Sequence, residues 1–232
     1  MITEESFIDF RCPYCGETIS FPRENAGHPQ ACPGCTESVI VPEDGSPEGG
    51  KLPLPITTRR LVLRRFAPAD WQDLLECLSD EETFRHMDGR PLEEEDVLHW
   101  LERERQVKLT TPDQAFYLGI QSQESDKLIG YVSLTFPEPL QAALQVVLNR
   151  AFQRKGFALE AVNAVLVFCF EAIRLHRVSA SCHSQNGPAC RLCESAGLRR
   201  EGEFVKSRLF DGEWINTVSY AALEEEHRPA SQ

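Results

Sequence analysis

"NRAFQRKGFALEA", residues 149 to 161, decides how the chain is read. It lies between an apolar run, "LQVVL" (144–148), and a longer one, "ALEAVNAVLVFCFEAI" (158–173). The first has the length of a strand. The second has the length of a helix and is apolar on most sides, so it reads as buried. The segment between must turn sharply. Amides in a helix's first turn have no partner inside the helix. They make a seat for an anion, and a diphosphate is the natural guest. Gly156 lets backbone come close to phosphate, Ala158 keeps the helix entrance narrow, and Arg150, Arg154 and Lys155 add positive charge within reach. Alone, Q/R-x-x-G-x-G/A also fits an ordinary strand–helix turn, so its surroundings decide.

Working outward, residues 56–225 alternate strand and helix. "RLVLRRF" (60–66) is a strand, and "PADWQDLLECLSDEETFRHM" is a helix entered at Pro68. "PLEEEDVLHWLERERQVK" is a second helix, acidic first and basic last, as the helix dipole prefers. "AFYLGIQ" and "LIGYVSLTF" form a hairpin around "SQESDK". After the central turn and its helix come a strand, "RVSASCH", and a short helix, "NGPACRLCESAGL". That helix has Asn186 or Ser184 as cap, Pro188 in its first turn and Gly197 as its stop. "FVKSRLFDGEWINTVSYAAL" closes as a hairpin at Asp211-Gly212. The expected order is βααβββαβαββ. Residues 43–55, "EDGSPEGGKLPLP", read as a linker, and 226–232 as a tail.

The first 42 residues carry a second pattern. Cys12-x2-Cys15 and Cys32-x2-Cys35 stand sixteen residues apart. Four thiolates on two tight turns can surround one Zn²⁺ tetrahedrally, and a site filled by four cysteines is closed and structural. A module this small has too little core to stand alone, so the metal is expected to hold it folded. A redox dithiol is the competing reading, but the βαβ context it needs is missing. The region resembles a zinc ribbon. His28, between the pairs, is unnecessary as a ligand and reads as a surface or turn residue.

Composition narrows the rest. The chain has 232 residues and a net charge of −12, which argues against general nucleic-acid binding. Residues 1–50 hold two bases and nine acids, a poor footprint for nucleic acid. No apolar run approaches the length of a membrane span, and the acidic start lacks a signal-peptide pattern. Of nine cysteines, the five outside the pairs (Cys77, Cys169, Cys182, Cys190 and Cys193) are scattered through helix and strand patterns, which suits reduced thiols, so cytoplasmic residence is the expectation. The ribbon reads as a docking or stabilising appendage, with a substrate-recruiting arm or a protein partner as the sharper alternative.

Residues 56–224 resemble the GNAT superfamily of acetyl-CoA-dependent N-acetyltransferases, most closely the branch that acetylates N-termini of ribosomal proteins. The residues that carry this are "TTRRLVLRRF", "QRKGFALEAV", the N-x-x-x-x-R-x-x-E-x-x-G-L run from Asn186 to Leu198, and the "EG…DGEW…Y" ending. The resemblance implies an α+β fold with a mixed, mostly antiparallel sheet flanked by helices. It implies that the fourth and fifth strands splay to admit the pantetheine arm. Backbone of Val146, Val147 and Leu148 would bond that arm, and an N–H there would polarise the thioester carbonyl. The diphosphate would rest on Gln153, Arg154, Lys155, Gly156, Phe157 and Ala158, and Asn186 would contact the cofactor. The acceptor amine would attack directly in a ternary complex.

Several positions depart from the family. Ala143 stands where many members carry a glutamate base, Ala189 where many have serine, and Cys193 where others have tyrosine. Candidates for the missing acid and base are Glu138, His183, Tyr220 and Cys193. Glu160 in the long helix's first turn reads as structural, and Trp71, Trp100 and Trp214 as core or pocket wall. The favoured activity is acetylation of a protein or peptide α-amine. A small-molecule amine acceptor, and a non-catalytic acyl-CoA-binding adaptor, are the alternatives.

Overall fold

The computed structural model describes residues 7–85, 89–111 and 113–227. Two small β units come first. Strands β1 (Phe7–Arg11) and β2 (Thr18–Pro22) form a hairpin, and β3 (Pro29–Ala31), β4 (Ser38–Ile40) and β5 (Gly50–Lys51) form a three-stranded sheet. Ile8, Phe10, Ile19, Val39 and Val41 fill a core of their own beside Cys12 and Cys32. The segment expected as a linker is ordered. Gly50–Lys51 pairs with β4, and Leu52 and Leu54 pack on the core of the large domain. Local composition signals a linker, whereas tertiary packing holds this one in place.

The large domain holds β6 (Ile56–Thr57), β7 (Leu61–Arg64), α1 (Trp71–Leu78), α2 (Glu81–Phe84), α3 (Glu94–Gln106), β8 (Phe116–Ser122), β9 (Leu128–Thr135) and β10 (Gln141–Leu148). It continues with α4 (Phe157–Val167), β11 (Arg177–His183), α5 (Gly187–Ser195), β12 (Arg199–Phe210), β13 (Glu213–Leu223) and α6 (Glu224–His227). These strands make one sheet in the order β12-β13-β11-β10-β9-β8-β7-β6. All neighbours are antiparallel except β10 and β11. That one parallel pair needs a crossover, and the long apolar run supplies it as α4. The helix ends in a wider π turn, Phe168–Ala172.

Alternation along the strands builds two apolar layers. One face meets α4 and α5, with Leu118, Ile120, Ala161, Val165, Val178 and Tyr220 among its buried residues. The other meets α1 and α3, where Phe66, Trp100, Tyr117 and Tyr131 form an aromatic cluster with centroids 5.1–6.5 Å apart. The expected single helix from Pro68 breaks after Leu78. Asp80 there caps a new turn, accepting from the Thr83 amide at 2.8 Å. The expected hairpin at Asp211-Gly212 forms with both residues at positive φ. The expected tail begins as a short helix whose His227 packs on Phe170, and residues 228–232 lie outside the described residues.

The ribbon-like module rests on one end of this sheet. Glu37 pairs with Lys108, Ser38 Oγ meets Thr110 Oγ1 at 3.1 Å, and Glu43 pairs with Arg174 at 3.7 Å. Lys108 and Thr110 lead into β8, and Arg174 leads into β11. Both strands start at the end where β10 and β11 are paired.

Candidate active site

At their starts β10 and β11 are in parallel register, from Gln141↔Arg177 to Ala143↔Ser179. Beyond Ala143 their ladder stops. Each strand keeps its outer partner to the end: β10 holds β9 through Leu148↔Gly130, and β11 holds β13 through His183↔Thr217. The inner edges of 144–148 and 180–183 therefore diverge into a wedge walled by backbone N–H and C=O groups. Such an edge accepts an extended guest as an added strand would be accepted. Gly130 keeps the outer pairing tight at this point, because a Cβ there would lie 2.1 Å from the Val147 carbonyl oxygen.

The loop at the wide end of the wedge is tied down from several sides. The Asn149 amide donates to the Ile129 carbonyl at 2.8 Å, and its Nδ2 donates to Glu76 at 2.8 Å. Gln153 Nε2 donates to the Leu148 carbonyl at 3.0 Å. Arg154 and Gly156 take φ of 59° and 79°, turning the chain back into α4. The α4 ladder opens with the Glu160 amide donating to the Gly156 carbonyl at 3.1 Å, so the amides of Phe157, Ala158 and Leu159 precede it. Gln153, Arg154, Lys155 and Gly156 are exposed beside them. Polar donors, two cations and a helix N-terminus thus meet at one solvent-facing turn.

Glu160 is the post for this loop. It accepts from Thr58 Oγ1 at 2.7 Å, from the Arg60 amide at 2.8 Å and from Arg60 Nε at 2.6 Å. Arg60 Nη1 also donates to the Lys155 carbonyl at 2.9 Å, and its guanidinium lies 4.4 Å from the centre of the Phe157 ring. Burial works against the Glu160 charge, but the Thr58 and Arg60 bonds outweigh it and hold its pKa below the ordinary value. The stability this gives is present above the usual carboxylate range and is lost as pH falls through the lowered folded-state value. Glu160→Gln is expected to cost about 2 kcal/mol, the scale of bonds to a charged group. It should also loosen the loop, so Kd for acetyl-CoA rises while the fold is kept; denaturant melts and calorimetric titration read the two effects.

Strand parity places the candidate acids and bases. His183 shares a face with Ala143, Gln145 and Val147, the face that α1 and α3 cover. Extending the register, it sits across the wedge from Val147. It also lines a cleft of about 590 Å³ with Arg85, Gln185, Phe210, Asp211, Glu213, Trp214 and Asn216. Its Nδ1 accepts from the Gln185 amide at 3.0 Å and its ring packs on Phe210, which fixes its orientation. Cys193 and Tyr220 lie on the opposite face, against α4 and α5. Tyr220 is 1% exposed and donates to Glu194 at 3.2 Å. Burial, with Cys190 and Glu194 nearby, pushes its phenol up, so it keeps its proton. Glu138 is exposed in the turn before β10, at the paired end of the sheet, a strand's length from the wedge mouth. Asn186 caps α5 by accepting from the Ala189 amide at 3.1 Å, which leaves its Nδ2 to offer a ligand.

The four ribbon cysteines converge. Cys12 and Cys35 have their sulfurs 3.7 Å apart, as do Cys15 and Cys32, and all four lie within 4.8 Å of one another. A tetrahedron of Zn–S bonds near 2.3 Å has edges of about 3.8 Å, so this donor set fits zinc. Both turns share one design: the amides of Gly16 and Thr36 donate to the carbonyls of Cys12 and Cys32 at 2.9 and 2.8 Å. His28 stands apart from this cluster, half-buried in the turn before β3.

Residues 60–199 match the Acetyltransferase (GNAT) domain family. The chain belongs to the GNAT family of acetyltransferases. Its relatives include the uncharacterized N-acetyltransferase YnaD of Bacillus subtilis, 34% identical over 74% of this chain and 98% of that one. A crystal structure of a GNAT-family acetyltransferase from Bacillus anthracis is 29% identical, covers 73% of this chain and 98% of that one, and has a TM-score of 0.68. A Vibrio cholerae spermidine N-acetyltransferase, solved with CoA and spermine, shares the fold at 19% identity and a TM-score of 0.63, covering 73% of this chain and 99% of that one. As a GNAT enzyme the protein is an N-acetyltransferase with acetyl-CoA as co-substrate. The wedge offers open strand edge, and the 153–158 loop offers free amides beside cations, groups of the kind that an amide-bearing arm and a diphosphate bond.

Sequence reasoning passed over Arg60, Thr58 and Asn149, whose partners lie far along the chain. It also passed over the cleft walls Arg85 and Phe210. Trp214, read as core or wall, is wall: it is 61% exposed on the rim of the cleft.

Proposed function

We propose that this GNAT enzyme acetylates the α-amine of a protein or peptide, with His183 as the base: its Nδ1 lone pair, which accepts from the Gln185 amide in this structure, exchanges that bond for the amine's proton, because Nε2 of the neutral ring already carries one. The carrying observation is the acceptor face of the wedge. It has alanine at 143 and glutamine at 145, and the predicted titratable residue facing both wedge and cleft is His183. A site without a strand carboxylate suits an amine that is already partly neutral. At pH 7.5 about a third of an α-amine with pKa near 7.8 is neutral, against about 0.1% of a lysine amine near 10.4. That several-hundredfold difference favours an N-terminal acceptor. The carbonyl oxygen of the thioester would accept from a backbone N–H of Val146 to Leu148, and the leaving thiol, near 8.5, asks little of an acid. Neither Glu138 nor Tyr220 is assigned a chemical role.

The cleft supports a polypeptide acceptor. It runs under the β12–β13 hairpin, where Leu209 and Trp214 are exposed, and its volume suits several residues of chain. Trp214→Ala is expected to raise KM for peptide acceptors about tenfold, with KM for acetyl-CoA unchanged. The carboxylates Asp211 and Glu213 on the same cleft favour a second reading, a cationic small amine. Mass spectrometry of products from pooled N-terminal peptides, lysine peptides and polyamines with acetyl-CoA separates them. Acetyl groups on α-amines support the proposal; acetylated polyamines alone would replace it, and cofactor binding with no product would favour the adaptor reading.

We also infer that Cys12, Cys15, Cys32 and Cys35 hold a structural zinc ion. Four cysteine ligands leave no open position for a substrate. The module's contacts lie at the paired end of the sheet, away from the wedge, which supports a bracing or docking role for it.

A further inference from the structure

Behind the wedge, on the face opposite His183, three thiols gather that neither the zinc site nor the proposed chemistry uses. Cys182 lies near the end of β11, across the wedge from Val146 by register. Its sulfur is 3.8 Å from that of Cys193 on α5. Cys190, one helical turn before Cys193, is half-buried beside them. The three do not converge with other ligand groups as the ribbon cysteines do; among the described residues that cluster is the metal-type grouping found. All are free thiols.

We propose that Cys182 and Cys193 are a redox modification site: a peroxide-class oxidant joins them in a reversible disulfide that narrows the acetyl-CoA wedge. The sulfurs need to close by about 1.8 Å to reach bonding distance, within reach of side-chain rotation. Within the pair, the hydrogen bond from Cys182 lowers the pKa of Cys193, and the same bond raises that of Cys182. Of the two thiols, Cys193 is therefore the one that gives up its proton first. By contrast, burial with Asp80 and Glu76 pushes Cys77 up to about 12, and burial pushes Cys169 up as well, so neither is primed.

The steps balance. The Cys193 thiolate attacks one peroxide oxygen, the O–O bond breaks, and hydroxide leaves, giving a sulfenic acid. The Cys182 sulfur then attacks that sulfur, the S–O bond breaks, and water leaves. Two electrons pass from the two sulfurs to the peroxide, and the net by-product is two waters. The new bond fastens α5 to the open half of β11. The wedge edge at 180–183 can then no longer move away from β10 when the pantetheine arm enters.

The inference rests on family membership and not on the acceptor reading, so its readout uses acetyl-CoA alone. The zinc-loaded protein is treated with one to a few equivalents of hydrogen peroxide, alkylated and digested with trypsin. Cleavage after Arg177, Arg191 and Arg199 puts Cys182 and Cys190 on peptide 178–191 and Cys193 on peptide 192–199. The expected result is those two peptides cross-linked, two hydrogens lighter than their sum. Kd for acetyl-CoA should weaken at least tenfold, with both changes reversed by dithiothreitol. Cys190→Ser should still cross-link; Cys182→Ser should not. Full alkylation of Cys182 and Cys193 after oxidation would overturn the proposal. So would a cross-link that leaves Kd unchanged, or one lost in Cys190→Ser. A thermal melt of each variant separates misfolding from loss of the bond.

Discussion

The proposed zinc site predicts that a chelator will unfold residues 7–42 and leave the acetyltransferase domain folded and active. A structural zinc contributes about 10–16 kcal/mol in isolated modules, more than a core of this size provides. The module's small cluster around Phe10, Val39 and Val41 has no second source of stability on that scale. Its ties to the large domain are weak by comparison. The Glu37–Lys108 and Glu43–Arg174 pairs are a third or more exposed, and such pairs contribute at most about 1 kcal/mol each. Amide exchange checks this. Protection in β1, β2 and β4 should vanish with a chelator or in Cys12→Ser, while protection in β9 and β10 persists. Acetyl transfer should change less than twofold, and the domain's Tm should fall by only a few degrees. Persistent protection of β1 and β4 in metal-free protein would remove zinc from the account.

The second large effect is at His183. His183→Ala should lower kcat for peptide α-amines about a hundredfold, at the low end of what a general base contributes. Kd for acetyl-CoA should hold, because the loop and wedge edge remain. The loss should shrink at high pH, where the α-amine reaches the site already neutral and needs no base. A merely structural role for the imidazole would give a loss independent of pH. Equal kcat in variant and parent at neutral pH would remove the base from His183 and leave solvent as the proton's destination.

The turn at 149–161 was legible because its signals are local. Strand length, helix length, a glycine and clustered cations stand side by side, and the structure puts Gly156 at positive φ where the turn needs it. The Asp211-Gly212 hairpin was legible for the same reason, and the α5 cap was narrowed to Asn186 or Ser184, of which the structure uses Asn186. The paired cysteines were legible as a spacing, and the structure brings their sulfurs together. The wedge itself was not written locally. Nothing in "LQVVL" or "RVSASCH" says that pairing stops after Ala143↔Ser179; the resemblance supplied that expectation. Glu160 was read as a helix-dipole residue, and it is structural, but its bonds to Thr58 and Arg60 span 102 and 100 residues. The segment 43–55 was misjudged for a similar reason: its proline and glycine content describes a free chain, while Leu52 and Leu54 find a surface elsewhere. Glu138 was read as lying just before the strand, and the strand direction puts it at the paired end of the sheet, a strand's length from the wedge mouth.

That the ribbon sits at the paired end of the sheet sets a minimum leash. β10 has eight residues, so it separates the ribbon's contact points from the wedge mouth by about 25 Å. A polypeptide gripped by the ribbon gains at most about 3.5 Å per residue when fully extended. It would need roughly eight residues or more between the gripped segment and its own amino terminus before that amine met the acetyl group. A ribbon that recruits would therefore act as a gauge of chain length, passing over acceptors whose free end is too short to span the sheet.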